Sequence, residues 1–415
     1  MNPLSAFFST RAFLGSFAHS LACVATCVLA SCAPSRTTLG EESAPSATSA
    51  PLNAPVGSAT GDGGVQVMPG RRVLAVADAS ADAGATRTVR MPIRVTPWVH
   101  GARTGQEIVT EHFEIRTTVR NGDLRRFLPE FTESALAHYT SALGVLPAPS
   151  APLETYLFGT RDEWAAFTID RLGSDADTYL GLGRGGYTSK AMAILYDIGP
   201  NDTLTILAHE GWHQYSQAVF RDELPVWLEE GISTYMEGYR VTMSGAPLFE
   251  PWRNFERFGQ LRDSLRRGET IPLEQLLDGT PQKFLAESRE RLLAYYAQVW
   301  VLTHFLAEGA EGRYRSGLER MLQDAASGSI GTRLSAAVTT ADDRRAVRRA
   351  LDRGGVRSLP SAIIARAYFS AETTALAREY EAFMRAVCER GSGDRIWRGV
   401  SPIQKPATPS ESAVR

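Results

Sequence analysis

Cysteine, lysine and net charge are all scarce in this chain of 415 residues. Four cysteines are too few for a small fold that disulfides hold together. Acidic and basic residues nearly cancel, 46 against 44, so the net charge of −2 provides no basic field that would attract nucleic acid, and we expect no nucleic-acid partner. The basic residues are almost all arginine, since the lysines are only Lys190, Lys283 and Lys405. A hydrophobic fraction of 43% is typical of a globular protein and indicates no particular activity.

The N-terminal segment, residues 1–31, has the pattern of an export signal. Arg11 precedes an apolar and small-residue stretch at residues 12–31, as in a secretory signal peptide. The stretch ends in LASC at residues 29–32, which resembles the bacterial lipobox, and this resemblance implies a lipid anchor on Cys32 and a location in the bacterial cell envelope. Two alternatives remain, namely ordinary signal cleavage that releases a secreted protein, and an uncleaved stretch that spans the membrane as a helix.

The rest of the chain is predicted to fall into four parts. Residues 32–88 are mostly Ala, Ser, Pro, Thr and Gly, a composition that cannot bury a core and predicts a disordered tether. Residues 89–250 are predicted to form a first lobe, in which the chemical signals described below lie, and residues 251–400 a mainly helical lobe. Residues 401–415, again rich in Pro and Ser, are predicted to form a flexible tail.

Residue patterns in the first lobe alternate between strand and helix signals, which predicts the α+β class. Alternation predicts strands at residues 89–95 and around Phe113 and Ile115, and residues 153–158 and 191–196 are further predicted strands. Helical spacing predicts a helix over residues 124–143, in which Pro129 marks either a kink or the start. After about residue 201 the pattern is almost entirely helical. The sequence therefore predicts a mixed sheet with helices, followed by a mainly helical lobe.

The strongest chemical signal is the run HEGWH at residues 209–213. On a helix, His209 and His213 lie one turn apart on the same face, so that their imidazoles converge on a single point. Two imidazole nitrogens at about 2.0–2.1 Å from the ion are typical zinc ligands. Glu210 points about 100° around the helix, where it can take a proton from the attacking water and pass it to a leaving amine. The competing interpretation is a surface helix that carries two unrelated histidines.

Neighbouring residues suggest how this active-site helix is built. Asp202 or Thr203 is predicted to cap its N-terminus. Gly211 has no side chain, so we expect it to let neighbouring backbone approach the site.

A second informative segment is LPVWLEEGISTY at residues 224–235. Pro225 suits the first position of a helix, which then carries acidic residues 16 or 17 positions beyond His213. A zinc ion bound by two histidines needs a third protein ligand and an open position for water, and a carboxylate on an antiparallel helix can supply the ligand.

Both segments resemble the gluzincin metallopeptidases, the thermolysin- and aminopeptidase-like branch of the zincins, whose second helix carries Trp-Leu-x-Glu-Gly. The resemblance implies a zincin-like fold in which the active-site helix lies between the two lobes. It also implies that His209, His213 and Glu230 bind zinc, while Glu229 occupies the variable position. Glu237 lies two turns further along the same face and stays as an alternative ligand or as a partner of a ligand.

Further site residues follow from the same resemblance. Gluzincins often stabilise the oxyanion with a Tyr or His from a downstream helix, and the buried helix predicted at residues 291–306 contains YYAQVW at residues 295–300. In similar bacterial domains a Tyr-Ala-Gln segment recurs at this place, which points to Tyr296, although an aromatic residue of the core is an equal alternative. His304 on the same side is a lesser candidate, and a core histidine is the simpler interpretation. Gly185, Gly186 and Tyr187 occupy the place where gluzincins have an edge strand that binds substrate backbone.

Two related patterns are missing from the sequence. The metzincin pattern needs a histidine six residues after His213, where this chain has Val219. Aminopeptidases carry Gly-x-Met-Glu-Asn before the zinc helix to hold a free amine, and this chain has no such segment. Their absence argues against both of these classes.

The sequence therefore predicts a membrane-anchored zinc peptidase that acts on peptide or protein substrates. His209, His213 and Glu230 would hold one zinc ion, Glu210 would be the general base and then the general acid, and Tyr296 would assist the oxyanion. The alternative from another class is a non-catalytic envelope lipoprotein whose zinc site braces a partner-binding surface. Glu210 favours the enzyme, because a structural zinc site has no need of this carboxylate.

Overall fold

The computed structural model describes residues 93–403, apart from residues 102, 182–184 and 370. The predicted signal peptide at 1–31, the anchor Cys32, the tether at 32–88 and most of the tail therefore lie outside the described residues. Within the described residues, no helix is both long and apolar enough to cross a membrane.

A mixed six-stranded sheet forms the N-terminal part of the fold, and its spatial order is β1-β2-β3-β4-β6-β5. The strands are β1 (Arg94–His100), β2 (Arg103–Val109), β3 (Phe113–Thr117), β4 (Leu153–Phe158), β5 (Gly186–Ser189) and β6 (Met192–Tyr196). Strands β3, β4 and β6 run parallel, with Phe113 opposite Leu153 and Tyr156 opposite Ile194. The other three pairings are antiparallel. Strand β5 is thus an edge strand, as expected for Gly186 and Tyr187.

Of the strand predicted at residues 89–95, residues 89–92 lie outside the described residues, and strand β2 of this sheet was missed. The first described strand begins at Arg94 and continues to His100, and it pairs with β2 as a hairpin. Strand β2 has the sequence RTGQEIV, with one fully buried residue, Ile108, so that it shows no clear alternation. Its pairing with β1 and β3 stabilises it instead.

Helices cover both faces of the sheet, and the strands alternate accordingly. Leu157 of β4 belongs to the main hydrophobic core together with helices α1 (Gly122–Tyr139) and α4 (Pro200–Val219). Its neighbours Tyr156 and Phe158 point to the opposite face, where they pack with aromatic residues of α2 (Arg161–Leu172) and α3 (Ala176–Leu180). A sheet that is buried on both faces fixes the strand ends firmly, which positions the side chains at its edge.

Helix α1 runs through Pro129 without a break in its assignment, so that Pro129 does not mark its start. The helix begins after Asn121, whose side chain accepts hydrogen bonds from the backbone of Asp123 and Leu124. Because this cap satisfies the first backbone donors, the helix begins a full two turns before the proline.

The remainder of the fold is almost entirely helical, with one exception to the sequence prediction. After α5 (Val226–Met236) comes a small hairpin of β7 (Tyr239–Val241) and β8 (Pro247–Phe249). In the part of the chain that the structure describes, ten α-helices follow, namely α6 (Phe255–Arg267), α7 (Leu273–Leu277), α8 (Pro281–Glu287), α9 (Arg289–Gly312), α10 (Arg315–Ser327), α11 (Ile330–Ala337), α12 (Ala341–Gly354), α13 (Ser361–Phe369), α14 (Thr373–Val387) and α15 (Ser392–Trp397). The chain is therefore a mixed α+β protein, and α4 packs against β5 and β6 as well as against α5.

Candidate metal centre

Two histidines and one glutamate converge in the interior, between α4 and α5. Glu230 Oε2 lies 3.6 Å from His209 Nε2 and 3.8 Å from His213 Nε2. The three ligand atoms lie within 4.8 Å of one another, and all three residues are fully buried. Tetrahedral bonds of about 2.0–2.1 Å place ligand atoms roughly 3.3 Å apart, so small adjustments would let this group hold a metal ion.

Helix α4 carries both histidines, but it does not begin as the sequence suggested. Its first residue is Pro200, preceded by Gly199 with a φ of 107°, and no side chain caps it. The prediction of Asp202 or Thr203 as the cap is wrong because Pro200 already has the φ of a helix and lacks the donor that a cap would satisfy. The Thr203 hydroxyl accepts a hydrogen bond from the Ile198 amide at 2.9 Å.

Helix α5 begins one residue later than predicted, since Pro225 precedes Val226 as its N-cap. Glu230 still lies in the first turns of α5, and α5 runs antiparallel to α4, since Glu229 contacts His213 while Glu237 contacts His209.

The two other candidate ligands, Glu237 and Glu229, instead hold the outer nitrogens of the histidines. Glu237 Oε1 lies 2.9 Å from His209 Nδ1, and Glu229 Oε1 lies 2.9 Å from His213 Nδ1. A carboxylate at Nδ1 fixes the proton there, so that Nε2 carries the lone pair that a metal needs. The structure thus groups Glu230, and neither alternative, with both Nε2 atoms.

The electrostatic environment favours ionised Glu230. Burial opposes the charged carboxylate, but hydrogen bonds and charge from both histidines outweigh burial and lower the pKa of Glu230 to about 2. Burial likewise opposes a charged His213, yet Glu229 and Glu230 raise its pKa to about 9. In the metal-free protein the histidine thus holds a proton that a metal ion would displace.

Glu210 lies beside this group with a different environment. Its side chain is fully buried, and burial raises its pKa despite the opposing effects of His213 and His209. Thr188 of edge strand β5 places its hydroxyl 2.9 Å from Glu210 Oε2. The other oxygen, Oε1, has no hydrogen-bond partner among the described residues. A carboxyl group with one oxygen available and a raised pKa is suited to accept and release a proton.

Gly211 makes room for a side chain and not for backbone, which corrects the sequence expectation. A Cβ atom at this position would lie 2.6 Å from the Tyr139 hydroxyl oxygen. That hydroxyl donates to the Ala208 carbonyl at 2.7 Å, and it thereby joins α1 to α4.

Tyr296 of α9 is fully buried near the metal group. Its ring centroid lies 6.3 Å from that of His209. Two residues later, Gln298 accepts from the Ile271 amide at 2.6 Å and donates to the Ile271 carbonyl at 2.8 Å. The glutamine of the Tyr-Ala-Gln segment therefore fixes the rotation of α9 about its axis, because its side-chain amide pairs with the backbone of Ile271 as a neighbouring strand would.

His304 packs in the core and not at the metal group. Its ring stacks on Trp252 with centroids 3.6 Å apart, and burial lowers its pKa well below the usual value. The interpretation as a core histidine agrees with this environment.

Sequence reasoning missed Thr188, Arg257 and Gln298. Gln298 stood within the quoted Tyr-Ala-Gln segment, but Thr188 and Arg257 belong to no local motif and reach the site only through the fold. Arg257 forms an ion pair with Glu237 at 2.8 Å.

One known family matches the central part of the chain. Residues 203–329 match the model of a family described as "Protein of unknown function (DUF1570)". The matched segment includes all three members of the metal group and Tyr296. No curated protein matches the sequence.

Proposed function

We propose that this protein is a zinc-dependent peptidase of gluzincin type, held in the bacterial cell envelope by a lipid on Cys32. The observation that carries the proposal is the pairing of a three-ligand group with a separate buried carboxylate. Two histidine nitrogens and one carboxylate oxygen suit Zn²⁺ and leave a fourth position for water, which is the composition of a catalytic zinc site. Glu210 is not one of the three ligands, and a purely structural site has no use for it.

Each residue of the group has a distinct chemical task in this proposal. Zinc would supply Lewis acidity, which polarises the substrate carbonyl and acidifies water. Glu210 accepts the proton of the attacking water and returns it to the leaving amine, a role that its raised pKa supports. Thr188 restrains the Glu210 side chain by its hydrogen bond to Oε2. Tyr296 would donate a hydrogen bond to the oxyanion.

One observation favours a second function, a metal site that only braces the fold. His209, Glu210, His213 and Glu230 have no exposed surface at all, which suits a structural metal. Against this alternative, burial of Glu210 without a ligand role carries a desolvation penalty that a structural site does not need to accept.

The decisive experiment compares two variants that separate metal binding from catalysis. We expect Glu210→Gln to retain zinc, by elemental analysis, and to lose hydrolysis of a peptide library, because its amide cannot accept the proton. Glu230→Ala should lose both zinc and hydrolysis. Glu274→Gln, an exposed position on α7, is the matched control and should behave as wild type. Full activity in Glu210→Gln would refute the peptidase mechanism, and zinc-loaded wild type that cleaves nothing would favour the structural alternative.

The proposed lipid anchor is tested separately by metabolic labelling with a fatty acid. Wild type and Cys388→Ala should incorporate the label, whereas Cys32→Ala should not, because its thiol is the acylated group. Label that persists in Cys32→Ala would eliminate Cys32 as the anchor, and no label on wild type would favour the secreted or spanning alternatives.

A further inference from the structure

We propose that Arg257 is a positioning residue that sets the orientation of His209 and of Tyr296 at the same time. The inference rests on the metal group of the proposed function and adds a residue that lies outside both sequence motifs. Arg257 belongs to α6, it is 1% exposed, and no motif in the sequence points to it.

The first contact runs from Arg257 through Glu237 to the ligand. Arg257 Nη2 donates to Glu237 Oε1 at 2.8 Å, and Arg257 Nε donates to Glu237 Oε2 at 3.1 Å. The same Oε1 lies 2.9 Å from His209 Nδ1. Because both carboxylate oxygens are held in a fork, Glu237 cannot rotate, and the ring of His209 is held in one plane.

The second contact joins Arg257 to Tyr296. The guanidinium carbon lies 5.1 Å from the centroid of the Tyr296 ring, within the range of a cation–π interaction. The tyrosine ring in turn lies 6.3 Å from the ring of His209. The guanidinium group of Arg257 thus contacts both Glu237, the partner of His209, and Tyr296, the candidate oxyanion residue.

Asn254 shows that this arrangement is built into the start of α6. Its side chain caps the helix by accepting from the Arg257 amide at 3.2 Å, and its Nδ2 donates to Glu237 Oε2 at 2.7 Å. The same Nδ2 lies 3.2 Å from the carbonyl of Thr234 on α5. The N-terminus of α6 is therefore joined to the helix that carries Glu230.

Arginine is required here for its shape as well as for its charge. A lysine ammonium would keep the positive charge, but it cannot bind both oxygens of Glu237 in a fork, and it lacks the planar face that packs on Tyr296. Arg257→Lys is therefore the variant that isolates geometry from charge.

The chain offers a matched control in Arg333. This residue donates from Nε and Nη2 to the two oxygens of Asp324, and its guanidinium carbon lies 5.8 Å from the centroid of the Tyr368 ring. It makes the same fork and the same ring contact on α11, outside the metal group. Arg333→Lys thus reports what this change does to a similar pair whose arginine is more exposed.

The experiment measures Zn²⁺ affinity of the full chain by competition with a chromophoric chelator, and the absorption spectrum of the Co²⁺-loaded protein. We expect Arg257→Lys to bind Zn²⁺ about 10–100-fold more weakly, as is typical when the support of a ligand is lost, and to shift the Co²⁺ bands. Arg333→Lys should match wild type in both. If Arg257→Lys behaves as Arg333→Lys does, Arg257 has no positioning role.

Glu237→Gln tests the same series of contacts at the residue between Arg257 and His209, and it remains usable if Arg257→Lys does not fold. It should also weaken Zn²⁺ binding, and adding Arg257→Lys to it should cause little further loss, because both changes break one connection. Unchanged affinity in Glu237→Gln, or fully additive losses, would overturn the inference. Hydrolysis is not measured here, so a protein that binds zinc but cleaves nothing would refute the peptidase proposal alone.

Discussion

Glu210 and Glu230 lie on neighbouring helices in one buried group, but their surroundings have opposite effects. Burial dominates at Glu210 and raises its pKa, whereas contacts with His209 and His213 lower the pKa of Glu230 to about 2. Two carboxyl groups with separated pKa values can divide the tasks of proton transfer and charge. Glu230 therefore suits a permanently ionised ligand, and Glu210 suits a group that exchanges a proton.

A prediction at the residue scale concerns the hydroxyl of Tyr296. We expect Tyr296→Phe to lower kcat by about 10²–10³-fold, the usual effect of losing one oxyanion donor, with KM and zinc content little changed. Tyr295→Phe is the control, since Tyr295 is equally buried on α9 but stacks on Phe284, with centroids 4.9 Å apart. Steady-state kinetics on one peptide would measure both. Equal activity in the two variants would make Tyr296 a core aromatic residue.

Much of the candidate site could be predicted at the residue scale, because two segments carry local patterns. The one-turn spacing of His209 and His213 and the acidic residues of the next helix need no knowledge of the fold. Arg257 could not be predicted, since its partner Glu237 lies 20 positions earlier in the sequence, with the hairpin of β7 and β8 between them. Nothing in the sequence around an arginine shows which distant carboxylate it will meet.

At the scale of elements, close approach of α5 to α9 holds the ligand helix in place. A Cβ atom on Gly231 would lie 2.5 Å from Thr303 Oγ1 and 2.8 Å from the Val299 carbonyl oxygen. The glycine that follows Glu230 thus allows the backbone of α5 to lie directly against α9. This contact brings Glu230 and Tyr296 into the same part of the interior.

Gly231→Ala should therefore separate the two helices. We expect it to lower the free energy of unfolding by about 1–3 kcal/mol, as is typical of an overpacked core, and to weaken zinc binding as Glu230 moves. Urea unfolding of the metal-free protein and chelator competition would measure these effects. Gly259→Ala on α6 is the control, because a Cβ there meets no atom within 4 Å. It should be neutral or stabilising by about 0.5–1 kcal/mol. Equal changes in stability and zinc affinity in the two variants would show that α5 and α9 can accommodate a methyl group at Gly231.

Elements were predicted best where the sequence pattern of a strand or helix is several residues long. Strand β4 has the predicted bounds, Leu153–Phe158, since its residues are nearly all buried in one continuous run. The hairpin of β7 and β8 was missed because each strand has three residues, too few for a period to be recognised. The start of α4 was misplaced because Pro200, and not a side-chain cap, sets it.

At the scale of the whole molecule, the candidate site lies where the sheet meets the helices. Edge strand β5 supplies Thr188, α4 and α5 supply the metal group, α6 supplies Arg257 and α9 supplies Tyr296. The site therefore depends on packing between the sheet and the helices. Because this interior is fully buried, a charge that forms in it should lower the free energy of unfolding.

His304 gives this sensitivity a direct test, because it is a core histidine away from the metal group. Burial holds its pKa well below the value of about 6.5 in an unfolded chain, so unfolding takes up a proton once the pH falls below about 6.5. The stabilisation from neutral His304 is complete above that pH and declines as the pH falls. At pH 5 the loss from this group should reach about 2 kcal/mol, since each pH unit corresponds to about 1.36 kcal/mol.

His304→Phe should remove this part of the acid dependence, because phenylalanine keeps the stack on Trp252 and has no proton to bind. The measurement is urea unfolding of the metal-free protein, wild type and variant, at pH 7 and pH 5 with a chelator present. We expect the wild type to lose about 2 kcal/mol more than the variant between these two values. The difference in slope is the test, since the variant also loses the hydrogen bond to Pro251 at every pH. Equal losses in the two proteins would mean that His304 is already protonated in the folded chain at pH 5.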